Sequence, residues 1–280
     1  MFSQTVATTA CAYAICDLRS VEEIQRVEQL QKDVWGFSDR EVIPMQQLVP
    51  ASQLGGIVIG GFCGDTLAGF AYGFLGREHG RLILHSQMLA VHPAHRGAGL
   101  GRALKLAQRE RALAAGIDRI TWTFDPLQCP NAHFNFARLG ALCDTYRVNF
   151  YGEFTSSFLH KTGTDRLWVT WPIDSPRVAN RLRDGLDQEE LLRKLGDASV
   201  VLGPAGGDRP RPRPEGFGAQ RLRIEVPNAT DWDSILAGEW RAATQAAFLR
   251  ALDEGYVVTE YCRFRGGGYL LEKGMAAEWA

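Results

Sequence analysis

The residues that could do chemistry cluster in one short run, Arg96-Gly97-Ala98-Gly99-Leu100-Gly101. Three glycines and an arginine stand directly before a segment of helical spacing. At such a junction the first N–H groups of the helix lack intrahelical partners, and the helix dipole adds about half a positive charge. Glycine lets the backbone approach a phosphate with no Cβ in the way. Arg96 and Arg102 add mobile positive charge. The run is therefore an anion cradle, or else a glycine-rich connection with no ligand. A Walker loop is excluded, because Gly101 is followed by Arg102 and not by Lys-Ser/Thr. A dinucleotide fingerprint would need a third glycine at position 102, which is arginine.

The elements around the loop give it a frame. Tyr13 to Asp17 reads as a short strand. Ser20 and Glu23 form a capping box, and Ile24, Val27, Leu30 and Val34 follow at helical spacing to about Trp35, where Gly36 ends the helix. Gly55–Cys63, Thr66–Leu75 and Arg81–Val91 read as a meander joined by turns at Gly64-Asp65 and Gly76–Gly80, so the sheet is antiparallel there. Leu100 to Ala115 is the helix, with Leu100, Leu104, Ala107 and Leu113 on one stripe and Gly116 as its cap. Ile117 to Phe124 must then lie parallel to Arg81–Val91 if the crossover is right-handed. A short helix over Asn131–Leu139 and strands over Cys143–Phe150 and Leu167–Trp171 complete residues 10–174. Residues 175–202 read as a helical connection. Residues 203–220, with alternating Arg-Pro and several glycines, read as an exposed linker. Residues 221–280 read as a small β-α-β-β extension: Leu222–Val226, a helix over Trp232–Asp253 capped by Asp231 or Asp233, Tyr256–Phe264 and Tyr269–Glu272. It is too small to stand alone and packs on the first domain or on a second subunit of a homodimer.

Composition narrows the function classes. The chain has 280 residues, 45% apolar and 22% charged, with a net charge of −1. No global field favours nucleic acid or an anionic membrane, so any anion needs a local site. No apolar run reaches the ~20 residues that span a bilayer. The cysteines, Cys11, Cys16, Cys63, Cys129, Cys143 and Cys262, have no metal-ligand spacing and read as buried thiols in a reducing cytoplasm. No metal is expected.

Arg96, Gly99 and Gly101 satisfy a third phosphate pattern, Arg/Gln-x-x-Gly-x-Gly/Ala, the pyrophosphate loop of coenzyme A. With Leu89-Ala-Val-His-Pro-Ala-His-Arg-Gly-Ala-Gly-Leu-Gly101 and the strand order before it, residues 10–174 resemble the GNAT superfamily of acyl-CoA N-acyltransferases. The resemblance implies an α/β (α+β) fold: a mixed, mostly antiparallel sheet with a central splayed parallel pair flanked by helices, here followed by the extension. It implies that Arg96, Gly97, Ala98, Gly99, Leu100, Gly101 and Arg102 cradle the pyrophosphate. It also implies that Val91 bonds the pantetheine arm and that the Leu89 N–H acts as an oxyanion donor. Direct attack of an amine on the thioester in a ternary complex would do the rest. Some members carry a glutamate base eleven positions before the loop's first residue. That position is His85, a base or a strand histidine with a structural hydrogen bond. The tyrosine that many members use to protonate the leaving thiolate falls at Phe136. Tyr151 and Tyr146 are the nearby phenols, either acids or core residues, and water could also assist.

Trp122–Leu127, Asn149–Gly152, Thr164–Arg166 and Trp171 look like a bacterial GNAT subgroup, some members of which are linked to amino-acid N-succinylation. That likeness implies acetyl- or succinyl-CoA as donor and an amino acid as the small-molecule acceptor. Arg166 would take a carboxylate. Asp125 would hold the acceptor ammonium or cap a turn with Pro126. The competing readings are a non-catalytic acyl-CoA-binding or regulatory module whose tail fills the acceptor site, and a protein N-acetyltransferase.

Overall fold

The structure is a computed structural model and describes residues 4–7, 11–152, 163–227, 233–263 and 267–275. The expected helix start at Trp232 and strand end at Phe264 lie outside the described residues. The chain forms two compact units that divide between Trp122 and Thr123.

The first unit contains β1 (Gln4–Ala7), β2 (Ala12–Asp17), α1 (Val21–Trp35), α2 (Met45–Gln53), β3 (Ile57–Cys63), β4 (Thr66–Glu78), β5 (Arg81–Val91), α3 (Leu100–Ala114) and the start of β6 (Arg119–Phe124). The strands follow chain order across the sheet, antiparallel up to β5, and β6 runs parallel to β5. The capping box fixes the start of α1: Ser20 Oγ accepts from Glu23 N at 3.1 Å, and Glu23 Oε2 accepts from Ser20 N at 3.1 Å. Gly36 ends it at φ 66°, in the left-handed region. Ile24, Val27, Leu30 and Val34 pack on Leu48, Val58, Phe70 and Tyr72, which places α1 and α2 on one face of the sheet. Each fully buried apolar side chain of this kind contributes roughly 1.5–3 kcal/mol. α3 takes the other face. A Cβ on Gly61 would stand 2.6 Å from Leu100 Cδ1, and one on Gly69 would stand 2.8 Å from Ala90 O, so these glycines let the helix and strands approach closely.

The cysteines depart from expectation at one pair. Cys11 and Cys63 form a disulfide, while Cys16, Cys129, Cys143 and Cys262 are not in disulfides. The antiparallel register sets Tyr13 opposite Cys63, which brings Cys11, two residues upstream, within a 6.0 Å Cα separation of Cys63. Two of the six cysteines are therefore not the buried thiols expected of a reducing compartment. No described helix is long and apolar enough to cross a membrane.

The second unit begins with α4 (Cys129–Ala132), which runs into a π turn over His133–Arg138. It continues through β7 (Leu142–Arg147), β8 (Arg166–Pro172), α5 (Pro176–Asp184), α6 (Gln188–Gly196), β9 (Ser199–Pro204), β10 (Pro210–Pro212), β11 (Arg221–Glu225), α7 (Ser234–Asp253), β12 (Tyr256–Cys262) and β13 (Gly268–Lys273). The order across its strands is β8-β7-β12-β13-β11-β9-β10. β11 and β9 make a second parallel pair, which the sequence pattern does not suggest.

One segment differs from expectation. The segment over 203–220 is not a free linker. β10 pairs with β9 (Pro210↔Pro204, Arg211↔Gly203), Arg213 N donates to Val201 O at 2.8 Å, and Trp240 Nε1 donates to Asp208 O at 2.8 Å. Alternating proline removes ladder donors, and β10 lies last in the strand order, where an edge strand tolerates that loss. The 221–280 extension packs on residues of the 10–174 segment, one of its two expected placements. Its β12 pairs with β7 through Val258↔Cys143, and Glu260 of β12 takes Arg177 and Arg181 of α5 at 2.8 and 2.7 Å.

Candidate functional site

β5 carries the first half of the site. Its pairing with β4 shifts between Tyr72↔Met88 and Phe74↔His85, so Ser86 and Gln87 together face Gly73 in a β-bulge. Its parallel pairing with β6 consists of Leu84↔Ile120 and His85↔Thr121 among the described residues. Beyond His85 the second edge of β5 has no described partner, which is the splay that the sequence resemblance implies. Backbone alternation then decides which groups face the open edge. His92 N donates to Ala68 O on the β4 side at 2.8 Å. Ala90 faces the same way, so the N–H and C=O of Leu89 and Val91 turn to the other edge. Arg96 Nε donates to Val91 O at 3.2 Å, which fits that orientation.

The loop continues from this edge. A 3-10 turn over Pro93–His95 leads to Arg96. Gly97 at φ 78° and Gly99 at φ 82° then adopt left-handed backbone that L side chains rarely take. Gly99 caps α3 with no side-chain hydrogen bond to its first turn. α3 therefore begins without a side-chain cap from its N-cap residue. Gly101 is informative for a different reason. Its φ is not positive, and a Cβ there would meet only Val91 Cγ2 at an ordinary 3.7 Å. The fold would accept alanine, which a helix prefers by about 1 kcal/mol. Glycine leaves open space between the helix start and Val91.

His85 sits at the end of the parallel pairing, buried, with Nδ1 3.0 Å from Thr121 Oγ1 and its ring against Phe74. Burial, aided by the charge of Lys105, pulls its pKa down to about 4. Its imidazole is therefore neutral through the neutral range: able to accept a proton, but of low basicity. Lys105 is a residue that sequence reasoning passed over, because a lysine on a helix is ordinarily solvated. Its Nζ donates to Ser86 Oγ at 2.7 Å and to Gln108 Oε1 at 3.3 Å, and it lies 3.9 Å from the centre of the Trp122 ring. Burial alone lowers its pKa to about 7.

The second unit holds a separate cluster. Asp125 is buried and takes both guanidinium ends of Arg241 on α7 at 2.7 Å each, and its Oδ1 also accepts from Leu127 N at 2.9 Å. Burial pulls the Arg241 pKa down, but the hydrogen bond and charge of Asp125 raise it overall. Asp125 thus already has a cation, and an acceptor ammonium would have to displace a guanidinium. The Leu127 bond is the turn cap. Asp165 accepts from Tyr146 OH at 2.8 Å, Asn149 N at 2.8 Å and Gln245 Nε2 at 3.2 Å. Arg166 is different. It is buried, donates through Nη1 to Asp165 O at 2.8 Å, and lies 5.2 Å from the Tyr151 ring, with no carboxylate partner among the described residues. Burial lowers its pKa against the pull of Asp125. Tyr151 is partly exposed, and its hydroxyl is 3.0 Å from Thr123 Oγ1. Phe136 is fully buried against Phe124 and Tyr269, so no proton donor stands at that position. The sequence does not point to Arg241, which lies 116 residues from its partner.

Residues 18–140 match the family model described as the Acetyltransferase (GNAT) family. No curated protein matches the chain in sequence. Several solved structures overlap it in part. The ribosomal-protein-S18-alanine N-acetyltransferase of Escherichia coli is 16% identical, with a TM-score of 0.47 over 58% of this chain and 95% of that one. A GNAT-family acetyltransferase of Streptococcus pneumoniae is 14% identical, with a TM-score of 0.46 over 56% and 98%. The yncA protein of Salmonella typhimurium, solved with acetyl-CoA, is 17% identical, with a TM-score of 0.44 over 58% and 95%. Overlaps of this size carry no weight for function.

Proposed function

We propose that the chain is an acyl-CoA-dependent N-acyltransferase, a reading supported by the match of residues 18–140 to the Acetyltransferase (GNAT) family model, and that it moves an acetyl or succinyl group to the amine of a small carboxylate-bearing acceptor, an amino acid. The observation that carries the donor half is the open edge of β5 ending at a helix start whose Gly101 has no packing reason to be glycine. The loop Arg96–Arg102 would hold the pyrophosphate. Val91 would bond the pantetheine arm, and the Leu89 N–H would donate to the oxyanion as the amine attacks. His85, as a neutral imidazole, would accept the proton that the amine loses.

Arg166, in the second unit, is the candidate cation for a carboxylate: a buried guanidinium that makes no ion pair among the described residues. A succinyl tail and an amino-acid carboxylate share that chemistry. Titration calorimetry with acetyl-CoA and succinyl-CoA tests the donor site, and absence of heat with both sinks the proposal. A screen crossing both donors with L- and D-amino acids and with simple amines tests the rest. Equal turnover of simple amines and amino acids with acetyl-CoA would remove the acceptor carboxylate.

A further inference from the structure

The thiolate of CoA is a charged leaving group, and the phenol that many relatives place to protonate it is replaced here by buried Phe136. A different group stands where the donor's path along β5 ends. Gly101 and Lys105 lie four residues apart on α3 and so share a face. Gly101 faces Val91, with its ideal Cβ 3.7 Å from Val91 Cγ2, while Lys105 Nζ reaches Ser86 Oγ at 2.7 Å. The helix face thus follows β5 from the loop end of its open edge back to the bulge at Ser86 and Gln87, where the pairing with β6 stops. We propose that Lys105 is the proton donor to the departing thiolate, a catalytic residue on α3 that does the work of the missing phenol.

The inference rests on the acyl-transfer reading above. In the step, the acceptor nitrogen bonds to the thioester carbonyl carbon and the C–S bond breaks. The sulfur keeps the bonding pair and takes a proton from the Lys105 ammonium. The amine proton leaves through His85 or solvent, and Lys105 regains its proton from solvent after the products depart.

The groups packed around Lys105 suit this role. Ser86 and His85 come from β5, Gln108 from α3 and Trp122 from β6, and none of them is acidic. No described carboxylate pairs with the ammonium and would compete with an incoming thiolate. Ser86 and the indole face hold the amine in place without neutralising it. Its lowered basicity suits proton transfer to a thiolate near neutral pH.

The test reads the sulfur directly. CoA in its free thiol form is bound to the intact protein, and the ultraviolet thiolate band is followed against pH. In the wild-type protein the bound thiol should be roughly tenfold or more stronger as an acid than in Lys105→Met, because a nearby cation favours the thiolate. Turnover should fall by roughly 100-fold, a usual general-acid contribution, with little change in affinity for acyl-CoA. Lys105→Gln, which keeps a donor for Ser86, serves if the methionine variant does not fold, and it should show the same loss. An unchanged thiol titration and unchanged turnover in a folded variant overturn the role of Lys105 and leave the acyl-transfer reading standing. Failure of the wild-type protein to bind either acyl-CoA overturns both.

Discussion

Lys105→Met should make the protein more stable at pH 6, and the gain should vanish as the pH rises. An ordinary lysine titrates at 10.5, whereas burial brings Lys105 to about 7. That difference corresponds to roughly 5 kcal/mol at about 1.36 kcal/mol per pH unit. The folded-state pKa is the depressed one. Between about pH 7 and 10.5 the unfolded chain therefore binds the extra proton, and stability rises with pH across that window. Below pH 7 the whole cost is present. Methionine fills a similar volume, loses the Ser86 hydrogen bond and the ring contact, and has no charge to desolvate. We expect a net gain of about 1–3 kcal/mol at pH 6 once those losses and local relaxation are subtracted. Urea unfolding of both proteins at pH 6 and pH 9 measures the effect. A methionine variant less stable at pH 6, or a difference that does not change with pH, would show that Lys105 is not a desolvated cation.

Three further outcomes follow from the same geometry. Gly101→Leu should leave the fold intact, with helix propensity improved by up to about 1 kcal/mol, yet weaken acyl-CoA binding at least tenfold by calorimetry. Asp125→Ala leaves the Arg241 guanidinium buried without its carboxylate and should cost about 3–5 kcal/mol in denaturant unfolding, whereas Asp125→Leu with Arg241→Leu should recover much of that loss. If neutral His85 accepts the amine proton, the acid limb of kcat should fall near pH 4 and be absent in His85→Gln; a limb at 6.5 would mean that the imidazole is not desolvated.

The parts of the molecule that the sequence discloses are those set by local rules. Ser20 and Glu23 are three residues apart, and their reciprocal bonds start α1 where the capping pattern puts them. β5 has the bounds expected from its apolar run between Gly80 and Pro93, and the loop glycines stand directly before α3 as expected. The features that stay hidden depend on residues brought together by the sheet. The Cys11–Cys63 pairing needs the β2–β3 register, and Asp125–Arg241 needs a helix more than a hundred residues away. The Arg-Pro run from 209 to 213 looks free because proline and glycine dominate it, and only the neighbouring β9 makes it a strand. Lys105 is hidden for another reason: a lysine on a helix is ordinarily solvated, and only the position of Ser86 and Trp122 shows that this one is not.

The pairing of β12 with β7 bears on how the chain can be divided. A chain cut after Pro172 would keep β7 and β8 but remove the strand beside Cys143 and the arginine that neutralises Asp125. The freed side of β7 would present unsatisfied backbone donors and acceptors, a template for pairing with other chains. Such a shortened chain should self-associate and precipitate even with its donor-binding half intact. The last hundred residues therefore act as the stopper of an otherwise adhesive sheet margin, and natural shortening of this protein would have to redesign that margin first.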